Sequence, residues 1–111
     1  MKVIYVAGPL VAADHWEIRH NINEAAALGL EVARLGHCPV IPHTNTGAVF
    51  LGTLTPEFWY EATLELLRRC DAIILTPYWP KAKGAIAERD EACRRKMPIF
   101  YNLDELRRWN G

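Results

Sequence analysis

Residues 2–7 (KVIYVA) form an almost continuous apolar, β-branched run that ends abruptly at Gly8-Pro9. A strand with only one face against a core alternates apolar and polar residues, whereas a strand covered on both faces is apolar throughout. The run therefore predicts a central strand with helices packed on each side. This constraint favours a layered α/β domain over an all-β or all-helical fold.

The rest of the chain alternates helical and extended patterns in the order that such a domain needs. Apolar spacing, N-cap residues and flanking glycine or proline predict helices at 16–35, 56–69, 84–96 and a last short helix ending near 109, and strands at 38–41, 72–76 and 97–100. Asp14, Thr55 and Asn102 are the expected N-caps. Strands alternating with helices give a parallel sheet with right-handed crossovers. Residues 1–111 are thus expected to form one domain.

Composition and charge limit the kinds of partner. Half of the residues are hydrophobic, and 13 basic residues balance 13 acidic ones. This balance gives no long-range field for a nucleic acid polymer or an anionic membrane. The N-terminal apolar run is too short for a signal segment or a membrane span, so we expect a cytoplasmic protein whose partner is a small molecule.

Cysteine and histidine spacing does not indicate a metal site. The three cysteines and four histidines lie at Cys38, Cys70, Cys93, His15, His20, His37 and His43, with no CxxC or HExxH pattern. Such spacing predicts no metal and no disulfide framework, and the thiols are expected to be reduced and mostly buried. The Gly8-Pro9 turn matches neither GxGxxG nor GxxxxGK[ST], so no nucleotide cofactor is expected.

In open parallel sheets, ligands bind beyond the carboxyl ends of the strands. The segments expected there include Gly8-Pro9, His43 to Asn45, and residues 77–83. The connection over residues 43–54 is long and contains two glycines, which favours a binding loop or lid. His43 either contacts the ligand or has a structural role.

Residues 81–88 (KAKGAIAE) run from a loop into a helix, whose first backbone N–H groups are available to an anion. On a helical wheel Glu88 lies at the edge of the apolar stripe, which suggests a carboxylate leaning into the cleft. The alternative is a carboxylate that only stabilises the helix dipole. The same wheel places Arg89 in the middle of the buried stripe, where it should have a partner.

Four aromatic residues fall near the predicted cleft. They are Trp59, Tyr60, Tyr78 and Trp79. Aromatic side chains of this kind can stack on a base, and the alternative is a place in the core or at an interface.

Four segments together resemble the nucleoside 2-deoxyribosyltransferase superfamily, which includes the 2-deoxynucleoside 5-phosphate N-hydrolases. The segments are IYVAGP at 4–9, VIPHT at 40–44, LELLRRCDAIIL at 64–75, and W…KGAIAE ending at Glu88. Their order and spacing cover most of the chain.

The resemblance implies a flavodoxin-like (Rossmann-like) three-layer sandwich with a central parallel sheet of four to five strands. It also implies that Glu88 attacks C1′ of a nucleoside or nucleoside 5′-monophosphate to form a glycosyl ester, with Tyr5 orienting the carboxylate. Homodimers or higher homo-oligomers are expected from the same resemblance. The expected ligand-binding residues are Gly8, Pro9, His43, Asn45, Thr63, Trp79, Lys83 and Gly84.

Two positions depart from the superfamily pattern. Thr63 stands where an aspartate is usual, and Ala82 stands where serine or aspartate is usual. A threonine hydroxyl does not act as a general acid at neutral pH, whereas a carboxylic acid with a raised pKa does. Two hypotheses therefore remain: an N-glycosidase or deoxyribosyltransferase that uses Glu88, and a catalytically impaired nucleotide-binding or regulatory domain.

Overall fold

A computed structural model describes all of residues 1–111 and has a four-stranded, fully parallel sheet at its centre. The strands are β1 (Val3–Ala7), β2 (Cys38–Val40), β3 (Ala72–Leu75) and β4 (Ile99–Phe100). Their order across the sheet is β2-β1-β3-β4, and Tyr5 of β1 aligns with Val40 on one side and Ile73 on the other. The expectation of an interior first strand and a parallel α/β domain is confirmed, with four strands.

Four of the five helices begin within one residue of the position that the sequence indicates, and α2 was not expected. They are α1 (His15–Arg34), α2 (Ala48–Phe50), α3 (Pro56–Arg68), α4 (Lys83–Arg94) and α5 (Leu103–Arg107). The three expected N-caps are confirmed: Asp14, Thr55 and Asn102 each accept a hydrogen bond from a backbone N–H three residues later, at 2.8, 3.1 and 2.9 Å. Strand β4 is shorter than expected because Met97 still belongs to the turn after α4, where its N–H donates to Ala92 O at 2.9 Å.

Helices cover both faces of the sheet, as the apolar first strand predicts. One core contains Ile4, Val6 and Ile74 and packs on α1 and α5, with Val32 and Leu106 fully buried. The other core contains Tyr5, Ala7, Ile73 and Leu75 and packs on α3 and α4, with Leu67 and Ala92 fully buried. Successive strand side chains point to opposite faces, so β1 and β3 each supply both cores. This is a Rossmann-like three-layer arrangement. None of its helices combines the length and apolar character needed to cross a membrane.

The segment 43–54, expected to be a binding loop or lid, contains a π-helical turn at His43–Gly47 that continues into α2. Two sequence expectations need correction. The cysteines are not mostly buried: Cys38 and Cys93 are exposed and Cys70 is half-buried. Cys38 lies on an edge strand, and Cys93 lies on the solvent side of α4.

Arg89 does not occupy the middle of a buried stripe. The buried residues of α4 are Ala85, Glu91 and Ala92, so the inward face is rotated away from Arg89. Its guanidinium lies 5.4 Å from the Trp79 ring centre and its Nε donates to the Tyr101 hydroxyl at 3.2 Å. Arg89 therefore has partners, as expected, but the contacts are made at the surface of the domain.

Candidate functional site

A cavity of about 630 Å³ opens beyond the carboxyl ends of β1 and β3. From β1 the chain turns to α1 on one face of the sheet, and from β3 it turns to α4 on the other face. Neighbouring parallel strands whose connections diverge in this way leave a crevice between them, which is where open α/β sheets bind ligands. The cavity size is within the range of small-molecule sites.

The floor of the cavity depends on a close approach between the turn after β1 and the end of β3. A Cβ atom at Gly8 would lie 2.3 Å from Thr76 Oγ1, so only glycine fits without displacement. His43 supports the same turn, because its Nε2 lies 3.1 Å from Gly8 O and 2.9 Å from Pro9 O. Both partners are acceptors, so Nε2 carries the proton. Burial lowers the pKa of His43, although the two carbonyl contacts oppose that change.

His43 thus has a structural role even though it lines the cavity. Its side chain is 4% exposed, and Nδ1 has no hydrogen-bond partner. The turn has one more support that sequence reasoning missed: the Asn21 amide donates to Leu10 O at 3.1 Å. A polar residue on the inward side of α1 was the available signal for this contact.

Tyr5 and Glu88 meet at the base of the cavity. Tyr5 is fully buried on β1, and its hydroxyl donates to Glu88 Oε2 across the gap between β1 and α4. Glu88 is partly buried and lines the cavity. The structure therefore joins the two residues expected to be catalytic, which lie 83 positions apart in sequence.

The protonation states of this pair follow from burial. Desolvation raises the pKa of Glu88 from 4.5 to about 7, and the hydrogen bond from Tyr5 partly opposes that rise. Burial, followed by the nearby Glu88 carboxylate, raises the pKa of Tyr5 well above its usual value. Tyr5 therefore remains a hydrogen-bond donor, while Glu88 is about half ionised at neutral pH.

The first residues of α4 form one side of the cavity mouth. Lys81, Ala82, Lys83 and Gly84 all line it. The N-cap residue Ala82 makes no side-chain hydrogen bond, so the first backbone N–H groups of α4 have no cap. Neither lysine forms an ion pair, and Lys81 Nζ lies 5.4 Å from the Tyr78 ring centre. This side of the cavity is positively charged.

The opposite wall is apolar and aromatic. Phe50 and Trp59 stack with ring centres 5.5 Å apart and planes within 5°, and Trp59 Nε1 donates to Thr53 O at 2.7 Å. Trp59 thus holds the segment after α2 against α3. Tyr60 and Thr63 of α3 also line the cavity, and the Thr63 hydroxyl donates to Tyr60 O at 3.0 Å. The sequence identified Trp59 and Tyr60 but not Phe50.

Two of the expected ligand-binding residues lie outside this cavity. Asn45 is exposed in the π-helical turn and borders a separate depression beside β2. Trp79 packs against Tyr101, with ring centres 5.8 Å apart, and under Arg89. The other six, Gly8, Pro9, His43, Thr63, Lys83 and Gly84, all line the cavity. No group of three or more histidine, cysteine, aspartate or glutamate side chains is arranged to hold a metal ion.

Comparison with known proteins places the chain in a family without assigning an activity. No curated protein matches it. The family model described as a domain of unknown function, DUF4406, matches residues 2–101, which include both members of the Tyr5–Glu88 pair. The chain therefore belongs to the DUF4406 family.

Proposed function

We propose that this protein cleaves or transfers the N-glycosidic bond of a nucleoside or nucleoside 5′-monophosphate, with Glu88 as the nucleophile. The observation that carries the proposal is the buried Tyr5 hydroxyl bound to a cavity carboxylate whose pKa is raised to about 7. Carboxylates with perturbed pKa values in a cleft are candidates for catalysis, because active sites use burial and neighbouring charges to shift pKa values towards the working pH.

The proposed reaction has two steps. The ionised Glu88 carboxylate attacks C1′, the base departs, and a glycosyl ester forms. Water or a second base then displaces Glu88 and releases the sugar product. Tyr5 holds one carboxylate oxygen, which orients the other towards the sugar. Forming a covalent intermediate in this way divides one difficult displacement into two easier ones.

The two walls of the cavity suit the two ends of such a substrate. The aromatic wall formed by Phe50, Trp59 and Tyr60 offers a stacking surface for a base. Lys83 and the uncapped start of α4 offer positive charge and backbone donors to a sugar hydroxyl or a 5′-phosphate.

A second candidate function is supported by one observation. Among the residues that line the cavity, Glu88 is the only carboxylate, and Thr63 of α3 lines the same cavity with a hydroxyl instead. A retaining glycosidase normally uses a second carboxyl group as the acid. The alternative is a domain that binds a nucleotide without turning it over efficiently.

We also propose that the protein acts in the cytoplasm as a homodimer or higher homo-oligomer. Large exposed apolar side chains concentrate beside the cavity mouth, at Val49, Phe50, Leu51, Leu54, Phe58 and Tyr60. Between residues 49 and 60 the only charged residue is Glu57, so two copies of this surface would not repel each other. Sedimentation that gives a 12.6 kDa particle at micromolar concentration would contradict this.

The activity is tested by incubating the protein with a panel of nucleosides and 5′-monophosphates and measuring released base by chromatography. Glu88→Gln keeps the size of the side chain but removes the nucleophile, and Glu61→Gln is the matched control on the exposed side of α3. We expect release by the wild type and the control and a loss of at least a hundredfold in Glu88→Gln. Equal release by all three proteins refutes the proposal.

Thr63→Asp separates the two candidate functions. If the domain is an enzyme limited by its missing acid, the new carboxylate should increase base release. Ligand binding by the wild type, measured by calorimetry, with no release from either protein would favour the binding domain.

A further inference from the structure

We propose that the substrates of this site are glycosides whose leaving group departs as an anion, unprotonated by any side chain of the cavity. This inference rests on the proposed function and specifies its substrate class. The observation behind it is the composition of the cavity lining. Glu88 is the only carboxyl group there, and Lys81 and Lys83 are the lysine side chains.

The lining also contains two ammonium groups and one phenol, those of Lys81, Lys83 and Tyr60. Side chains of these types ordinarily have pKa values of about 10, too high for efficient proton donation at neutral pH.

His43 and Thr63 do not supply a proton either. His43 is neutral, because burial lowers its pKa and its single ring proton at Nε2 is bound to Gly8 O and Pro9 O. The Thr63 hydroxyl donates to Tyr60 O at 3.0 Å. Aliphatic hydroxyls of this kind hydrogen-bond to a leaving group but do not act as general acids at neutral pH.

Glu88 cannot serve both purposes in one step. A nucleophile attacks C1′ on the face opposite the leaving group, and the acid in a retaining enzyme lies on the leaving-group side, about 5–5.5 Å from the nucleophile. The Tyr5 proton is also unsuitable, because the hydroxyl donates to Glu88 and its pKa is raised well above the usual value. Bond cleavage therefore proceeds without protonation by the protein.

The electron balance of the first step defines the substrate. A lone pair of the Glu88 carboxylate forms the bond to C1′ while the C1′–N bond breaks, and its electron pair leaves on the base nitrogen. The positive charge of Lys81 and Lys83 favours this developing anion electrostatically. In the second step water attacks C1′, the C1′–O bond to Glu88 breaks, and the proton of the water is taken by the base anion. The overall reaction consumes one water and releases sugar and neutral base.

Bases that are stabilised as anions fit this chemistry. Uracil, thymine and 6-oxopurines delocalise the charge over carbonyl oxygens, whereas cytosine is a poorer anion. We therefore infer a substrate that carries an oxo-substituted base, and cytosine nucleosides should be the slowest.

The test compares leaving groups of matched shape. With wild-type protein, 2′-deoxyuridine and 5-fluoro-2′-deoxyuridine differ by one small atom, but fluorine makes the leaving base a better anion. We expect kcat/KM to rise on the order of tenfold for each unit by which the pKa of the leaving base falls, since almost a full charge reaches the base. 2′-Deoxycytidine should react at least a hundredfold more slowly than 2′-deoxyuridine.

Two further measurements sharpen the test. For 2′-deoxyuridine, the pH profile of kcat/KM should rise through about 7 as Glu88 ionises and then stay level up to the pH at which the substrate itself ionises, because the protein has no acid to lose. The titratable groups that line the cavity with Glu88 are His43, Tyr60, Lys81 and Lys83, and Tyr5 contacts Glu88 from β1. Tyr60→Phe should leave the 5-fluoro to unsubstituted ratio unchanged, and Thr63→Asp should reduce it.

The outcomes separate this inference from the function on which it rests. Equal kcat/KM for the fluorinated and unsubstituted pair, or a falling limb near neutral pH, overturns the anionic leaving group while Glu88-dependent release still supports the enzyme. A ratio that rises in Tyr60→Phe overturns it too, because Tyr60 would then have been the acid in the wild type. Absence of release even from the 5-fluoro substrate overturns both.

Discussion

Replacing Glu88 with glutamine removes one ionisable group from the base of the cavity and keeps an oxygen that can accept the hydrogen bond from Tyr5. Because burial raises the pKa of Glu88, the folded protein binds a proton there that the unfolded chain releases between pH 4.5 and about 7. The free energy of unfolding therefore falls as pH rises through that window and is level above it. Glutamine cannot ionise, so the free energy of unfolding of the variant should not fall with pH for this reason.

The magnitude follows from the two pKa values. A rise from 4.5 to about 7 corresponds to a destabilisation of about 3 kcal/mol at pH 8, at roughly 1.4 kcal/mol per unit of pKa. At pH 5 the same group destabilises the fold by less than about 1 kcal/mol, because it is still largely protonated in the folded state. Glu88→Gln should thus gain about 2.5 kcal/mol relative to wild type between pH 5 and pH 8.

Urea unfolding followed by circular dichroism at the two pH values measures this difference. Glu61→Gln is the control, since Glu61 is exposed and makes no ion pair, and its difference from wild type should not change with pH. If the stability difference between Glu88→Gln and wild type is the same at pH 5 and pH 8, Glu88 ionises normally. The account of the cavity as a desolvated carboxylate site would then be wrong.

Three further changes test neighbouring parts of the structure. Tyr5→Phe removes a hydrogen bond that favours ionised Glu88, so the carboxyl pKa should rise above about 7 in a ¹³C NMR titration; an unchanged value would mean that the bond is absent in solution. Glu91, whose pKa is lowered to about 2 by two arginines, stabilises the fold above pH 4.5, and this stability is lost as pH falls towards 2. Glu91→Gln should therefore flatten the acid limb of thermal unfolding; an acid limb as steep as that of wild type would refute this. Gly8→Ala places a Cβ 2.3 Å from Thr76 Oγ1 and should cost about 1–3 kcal/mol in urea unfolding, with partial recovery in Gly8→Ala/Thr76→Ala; a neutral single variant would contradict the close approach.

Local features of the fold could be predicted because their causes are local. An N-cap needs only a side-chain oxygen and a backbone N–H three residues later, so Asp14, Thr55 and Asn102 identify helix starts directly from sequence. The first strand is apolar on both faces, and burying both faces requires helices on both sides of the sheet. The location of the cleft followed from topology, since parallel strands present their carboxyl ends at one edge.

Side-chain directions were harder to predict, as α4 shows. A helical wheel gives the angles between its residues but not which face meets the sheet. Packing against α3 and the strands rotated α4 so that Glu91 faces inward, with Arg68 Nε of α3 bound to it at 2.8 Å, and Arg89 faces the surface. This rotation of α4 changes which of its residues are buried and which are exposed, and Cys93 is one of the exposed ones.

Position along the chain identified Glu88 as a carboxylate near the cleft, and the surrounding motif identified Tyr5 as its companion. Neither could show that the two side chains meet or that the pKa of the Glu88 carboxyl group is raised to about 7. The contact exists only after β1 and α4, 83 residues apart at that point, are packed together. The raised pKa then follows from the desolvation that this packing causes. Residue types and their order along the chain are thus sufficient for the architecture and the candidate residues, whereas their chemistry comes from burial, a property of the assembled domain.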